Sequence, residues 1–334
     1  MSVDSNSEPF AGELPDLAAI QAAARRIGDR LAPTPCVFAE DLSTSLGQPL
    51  WVKAENLQPT GSFKVRGALN WLRTASEEEL AAGLVTVSAG NHALALAWAA
   101  SQLKVPVTVV MPEGSSALKI HNTRQLGARV IVRGNIREAV AHCHELRDRD
   151  GLTLVHPYND PRVMAGQGTV ALELLEQIPD LERVIVPVGG GGLISGVGLA
   201  LKALRPQIQL VGVEPEGAAT LRNAWDKRDV NASLSSIDTI AVSLGPAVVG
   251  EYTYTASRRV VDTLVTVADE HIIGATLRLL SDARLYVETG AAVGLAALLA
   301  GIVPAATDSA TALIITGGNL DLSQLQKLLA PASS

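Results

Sequence analysis

A chain of 334 residues with 47% hydrophobic and only 3% aromatic content can bury a large core, built mainly from Ala, Val, Leu and Ile, in one large or two moderate domains. Its net charge of −7 and pI near 5.4 arise from both signs scattered along the chain, without a basic block to follow a phosphate backbone, which speaks against nucleic-acid binding. No apolar stretch is long and pure enough for a membrane span, and residues 1–15 lack the basic start and apolar run of a secretory signal, so a soluble cytoplasmic protein with no membrane partner is expected. Cys36 and Cys143 are too few and too far apart for a disulfide framework, in keeping with a reducing compartment.

In chain order, helical and strand-like runs take turns. A 3.6-residue periodicity predicts helices over 17–31, 62–74, 93–103, 116–126, 136–149, 168–177 and 195–204. Short, unbroken apolar runs at 84–87, 105–111, 129–132, 183–188, 209–213 and 312–316 predict strands buried on both faces. Such alternation specifies an α/β protein, with open, mostly parallel twisted sheets flanked by helices and joined by right-handed crossovers.

Four segments carry candidate chemistry. Lys64 sits in Pro59-Thr60-Gly61-Ser62-Phe63-Lys64, a Gly/Ser turn that enters a helix. An amine with an ordinary pKa of about 10.4 is protonated at neutral pH, so a nucleophilic lysine needs burial or a carbonyl cofactor that holds it as an imine; the plain alternative is a solvated surface charge. Ser88-Ala89-Gly90-Asn91-His92 closes one strand and opens a helix, which places its amides where a carboxylate is favoured, or else makes it an N-cap beside a core histidine. Gly189-Gly190-Gly191-Gly192-Leu193 joins a strand to a helix, the arrangement of a phosphate cradle rather than of a merely flexible connection. Thr316-Gly317-Gly318-Asn319 follows the last apolar strand. His142-Cys143-His144 looks like a metal cluster on paper, but on a helix the two histidines point about 200° apart, and no metal site is expected.

Together these segments resemble the pyridoxal-phosphate enzymes of the tryptophan-synthase β-subunit class, and within it the serine/threonine dehydratase and serine racemase family, from about Asp16 to Leu322. The resemblance implies a large cofactor-binding domain (1–75 and 158–334), a smaller mobile domain inserted at 76–157, and pyridoxal 5′-phosphate in the cleft between them. It implies that Lys64 holds the cofactor as an imine and later takes the Cα proton, and that Phe63 packs near the ring. Gly189, Gly190, Gly191, Gly192 and Leu193 would grip the phosphate, Asn91 would bond the ring hydroxyl, and Thr316 would meet the pyridine nitrogen. Ser88, Ala89, Gly90, Asn91 and His92 would hold the substrate carboxylate.

The implied reaction is β-elimination of L-threonine or L-serine to a 2-oxo acid and ammonia by a homo-oligomer, dimer or tetramer. Other β-eliminating or β-replacing lyases (hydroxyaspartate, diaminopropionate or acylated serine as substrate), a serine racemase and a non-catalytic cofactor-binding protein stand as alternatives. Ala89, where racemases of the family place a second serine, argues for elimination. Leu94, Ala95, Val242 and Ser243 depart from the family near the expected substrate pocket, Thr289 replaces the proline after Glu288, and Thr220 supplies no charge to a cation site at Glu214. The chain stops shortly after the Thr316 motif, so feedback by isoleucine through a C-terminal regulatory domain is not expected.

Overall fold

The computed structural model describes residues 12–307 and 309–329; residues 1–11, most of the polar start read above, lie outside them. The described strands are β1 (Cys36–Phe38), β2 (Leu50–Ala54), β3 (Leu84–Val87), β4 (Val107–Met111), β5 (Arg129–Val132), β6 (Thr153–Leu154), β7 (Leu181–Pro187), β8 (Gln209–Pro215), β9 (Thr263–Val267) and β10 (Ala310–Ile315). They form two sheets flanked by helices, as the alternation predicts. The larger has the order β1-β2-β10-β7-β8-β9 and is parallel apart from the β1–β2 pair. The smaller, β5-β4-β3-β6, is wholly parallel. Among the described residues no helix is long and apolar enough to cross a membrane.

The large sheet is buried on both faces. Along β10, Ala310, Ala312 and Ile314 enter one apolar layer while Leu313 and Ile315 enter the other, and β7 divides in the same way at Val184, Ile185 and Val186. A strand of period two with both faces covered needs an apolar residue at every position, which is why these strands read as unbroken runs.

Three helices converge beneath the site through small residues. A Cβ on Gly196 would stand 2.2 Å from the Met164 carbonyl oxygen, and one on Gly166 would stand 2.6 Å from that of Arg66. Glycine at these two positions therefore lets the helices Lys64–Thr74 and Gly192–Leu204 both pack directly on the helix Pro161–Gln177. That central helix begins well before the predicted 168–177 because Asp160 caps it, accepting from the Arg162 and Val163 amides at 2.7 and 3.4 Å with Pro161 in the first turn.

Under the lysine helix lies a buried ionic network. Arg66 donates to Glu55 at 2.7 and 2.8 Å and to Glu173 at 2.6 and 2.8 Å, and Lys53 donates to Glu173 at 2.6 Å and to the Thr34 carbonyl at 2.7 Å. Burial alone would raise Glu55, but the Arg66 guanidinium outweighs it and holds the carboxyl below the usual range. The network ties β2, the turn after it and the helix Lys64–Thr74 to the helix Pro161–Gln177.

Candidate active site

The predicted motifs fall at the carboxyl ends of parallel strands, the side on which open α/β sheets bind ligands. Ser88 follows β3, Gly189 follows β7 and Thr316 follows β10. The lysine turn is pinned to the end of β10: the Phe63 amide donates to the Thr316 carbonyl at 3.1 Å, the Gly318 amide donates to the Gly61 carbonyl at 2.9 Å, and Ser62 bridges to Gly317. All the sequence-predicted residues, Phe63, Lys64, Ser88 to His92, Gly189 to Leu193 and Thr316, line one cavity of about 300 Å³.

Lys64 opens the helix Lys64–Thr74, and its Nζ donates to the Pro157 carbonyl at 2.8 Å, 5.2 Å from the centre of the Phe63 ring. Burial pulls the amine down to about 8, against the opposing charge of Glu288. A larger share of this lysine is therefore neutral at physiological pH than of an ordinary one. His92 and His156 are pushed down to about 3 and about 4, chiefly by burial and then by the Lys64 charge. His92 faces the Val155 carbonyl through Nε2 at 3.2 Å, and because a carbonyl only accepts, Nε2 carries the proton.

The glycine loop is shaped by a residue to which sequence patterning assigns no role. The ring of Tyr158 lies over the loop so closely that a Cβ on Gly190 would stand 2.4 Å from it, and the Tyr158 hydroxyl donates to the Val248 carbonyl at 2.8 Å. Gly191 has φ of +84°, a conformation that glycine adopts without strain, and stands as N-cap of the helix Gly192–Leu204. The first amides of that helix have no intrahelical acceptor, and Gly192, Leu193 and Ile194 line the cavity, so they supply N–H donors and a positive helix end to an anion.

The cavity wall also holds Thr316, 3% exposed, whose Oγ1 has no hydrogen-bond partner among the described residues. An unpaired buried hydroxyl at the end of a central strand suits a ligand that supplies the missing partner. A phosphate cradle, a lysine with a lowered pKa and an orphaned hydroxyl around one cavity fit the three ends of pyridoxal phosphate.

Other residues join or leave the site. Lys119, Pro157, Tyr158, Glu288 and the segment Val242 to Pro246 also line the cavity. Of the departures noted above, Val242 and Ser243 face the cavity, whereas Leu94 and Ala95 are buried in the helix Asn91–Leu103 and do not line it. Glu214 is spent on structure, accepting from the Leu221 and Arg222 amides at 2.7 and 2.9 Å to cap the helix Thr220–Lys227, while the Thr220 hydroxyl donates to the Pro246 carbonyl at 2.6 Å.

A cavity at the strand ends, lined by a buried lysine and by the first amides of a helix, fits an enzyme that works through a phosphorylated carbonyl cofactor. The model of the pyridoxal-phosphate dependent enzyme family matches residues 27–317, and the chain belongs to that family; its cofactor is pyridoxal 5′-phosphate. An L-threonine ammonia-lyase of Thermotoga maritima is 41% identical over 315 residues, 93% of this chain and 77% of the relative. Among solved structures, the processed threonine deaminase isoform 2 of Solanum lycopersicum superposes with a TM-score of 0.89 at 35% identity, covering 98% of this chain and 96% of that one. Maize serine racemase is similar to the same degree, TM-score 0.89 and 35% identity over 94% and 97% of the two chains.

Proposed function

We propose that this enzyme removes the β-hydroxyl of L-threonine, L-serine or both, releasing ammonia and 2-oxobutanoate or pyruvate. The observation that carries the reading is the Lys64 amine, lowered to about 8 by burial and lining one cavity together with the glycine loop. The likeness to a threonine ammonia-lyase and a threonine deaminase over nearly the whole chain supports the substrate.

When bound, pyridoxal phosphate supplies a carbonyl for amines and an electron sink for charge left at Cα. The chain's residues do the rest. Backbone N–H groups of Gly189 to Leu193 would hold the phosphate, Thr316 would meet the pyridine nitrogen, Asn91 would meet the ring hydroxyl, and Phe63 would pack near the ring. A threonine hydroxyl cannot keep that nitrogen protonated as an aspartate would, which moderates the sink and suits elimination. Ser88, Ala89, Gly90, Asn91 and His92 hold the substrate carboxylate at the amino end of the helix Asn91–Leu103. The neutral Lys64 amine would take the Cα proton and the β-hydroxyl would leave with a proton as water; the enamine released would tautomerise to an imine, and one water would hydrolyse it to the 2-oxo acid and ammonia. In this proposal residues 76–157 form a small domain that moves against 1–75 and 158–334. The protein is a cytoplasmic homo-oligomer, dimer or tetramer, and its unpaired Cys36 and Cys143 suit a reducing compartment.

The test is a steady-state screen of β-substituted amino acids for ammonia and 2-oxo acid release, with threonine and serine expected to turn over. Preference for hydroxyaspartate, diaminopropionate or an acylated serine would replace the substrate, and no release from any of them would make the protein a binder. Covalent capture of pyridoxal phosphate by the cofactor-free protein should accelerate about tenfold per pH unit up to about 8 and then level off, because only the neutral amine attacks. A rate constant that stays flat from pH 6 to pH 9 in stopped-flow absorbance would show that this amine is not the titrating group.

Elimination should also dominate racemisation. Lys64 reaches one face of the planar reacting centre, and the methyl of Ala89, in the carboxylate loop, has no proton to offer the other. Ala89→Ser should raise the D-serine formed per pyruvate, since even a poorly aligned acid contributes part of the usual ~10²–10⁴-fold. Chiral analysis of recovered serine reads the ratio, and rapid D-serine formation by the unmodified enzyme would defeat the single-face argument.

A further inference from the structure

A hydrogen-bond chain with a fixed direction runs through the cavity wall. At one end the Thr60 carbonyl can only accept, so the amide nitrogen of Asn319 must face it, at 2.9 Å. The same nitrogen donates its second hydrogen to Oδ1 of Asn91 at 2.8 Å. With Oδ1 engaged, the amide nitrogen of Asn91 points to Oε1 of Glu288, 2.8 Å away. A primary amide has two N–H donors, and among the described residues one of those on Asn91 remains unspent. Asn91 and Glu288 are 7% and 5% exposed, so protein groups rather than bulk water set this orientation.

The far end of the chain is braced by Thr289, one of the departures from the family pattern, and by the segment that leads to Ser243, another. Thr289 donates through Oγ1 to the Ile240 carbonyl at 2.7 Å, and the Asp269 carboxylate accepts from the Thr239 hydroxyl and the Ile240 amide at 2.6 and 2.8 Å. This joint seats Ser243 against the turn that carries Glu288, so closely that a Cβ on Gly290 would stand 2.3 Å from the Ser243 hydroxyl oxygen. Burial pushes the Glu288 carboxyl up, against the Lys119 charge, hydrogen bonds from Ser243 and Asn91, and the Lys64 charge. A Cβ on Gly317 would stand 2.9 Å from Oε1 of Glu288 and 3.2 Å from the Asn91 amide nitrogen, which leaves little room for the pair to move on that side.

We propose that Glu288 is a positioning residue: with Asn319 it fixes the amide of Asn91 so that the unspent N–H is presented to the ring oxygen of the bound cofactor. The inference rests on the reading of the cavity as the pyridoxal-phosphate site. Glu288 acts in it as an acceptor, a role that a carboxylate, a protonated carboxyl and a glutamine amide can all fill. Alanine or leucine cannot, and each would leave the Asn91 amide tethered only through its oxygen.

The test compares Glu288→Gln, Glu288→Ala, Glu288→Leu, Asn91→Ala and the Glu288→Ala/Asn91→Ala double variant as holoenzymes. The readouts are the dissociation constant of pyridoxal phosphate and the absorption maximum of the bound cofactor. Glu288→Ala should weaken binding about 3- to 10-fold, the worth of one well-placed hydrogen bond, and shift the band. Glu288→Gln should stay within about twofold of the parent, and the double variant should bind no more weakly than Asn91→Ala alone. If Glu288→Ala fails to fold, Glu288→Leu, which fills the volume, and Asn319→Ala, which frees the other end of the chain, should show the same band shift. Parent-like binding and spectrum in the alanine and leucine variants would overturn the proposal, as would losses that simply add in the double variant. If the parent protein itself takes up no pyridoxal phosphate, the cofactor reading fails, and the positioning role fails with it.

Discussion

Lys64→Ala is expected to lose turnover by more than about 10⁴-fold, because in the proposed function one amine would both capture the cofactor and move the Cα proton. Borohydride reduction of the parent holoenzyme should attach the cofactor irreversibly to the peptide containing Lys64, and the variant should carry no label there. Label on any other lysine would move the active site. The variant should remain folded, and the sign of the linkage says why. Burial holds Lys64 at about 8 in the native state against 10.5 in its ordinary state, so between those values the unfolded chain binds more protons. Stability from this group therefore falls as pH drops through that window and is fully lost below about 8. Removing the amine removes the penalty, and the cofactor-free variant should melt at or above the parent temperature at pH 7.

Arg66→Met should destabilise the protein by about 3–5 kcal/mol, the usual cost of removing one partner from a buried ion pair. Glu55 has no exposed side-chain surface, and without the guanidinium it keeps the 2.5 Å hydrogen bond from Thr34 but not the charge that holds it ionised. Glu173 is less affected, because Lys53 remains 2.6 Å away. Urea denaturation should therefore show a lower midpoint with an unchanged slope, and adding Glu55→Met should recover part of the loss, since apolar replacement of a whole buried pair is often tolerated. A shift below about 1 kcal/mol would mean that water reaches Glu55 in the variant.

The strands that carry the site were legible because both their faces are covered. The segments 184–188 and 312–316 have nothing but apolar residues and a final threonine in the second to show, and a Gly-rich turn after each marks its carboxyl end. β2 is hidden because Lys53 sits inside it, a charge made acceptable in a core by the distant Glu173 together with the Thr34 carbonyl and Gln177. β6 is two residues long and has no pattern to read. The helix Glu251–Val260, with Tyr, Thr, Ser and Arg through its length, offers little apolar signal. Within the site, motifs contiguous in the chain could be found. Tyr158 over Gly190 and Lys119 on the cavity wall are long-range contacts between segments whose local patterns say only turn and helix. Glu288 was noticed, but its tie to Asn91 spans 197 positions and leaves no local trace.

The place of β10 has a consequence for how the molecule is made. It lies between β2 and β7, pairing Ile314 with Lys53 and Leu313 with Ile185, and of the described strands it is the last to leave the ribosome. Until it arrives, the nascent large sheet is split, and two apolar edges that end up in its middle have unpaired backbone groups. Such edges recruit other chains. The smaller sheet needs only residues 84–154 and can close early, so synthesis leaves a long interval in which one half is complete and the other still lacks its centre. Low yield from truncated or slowly translated chains would then reflect aggregation through β2 and β7 rather than any defect in the catalytic residues.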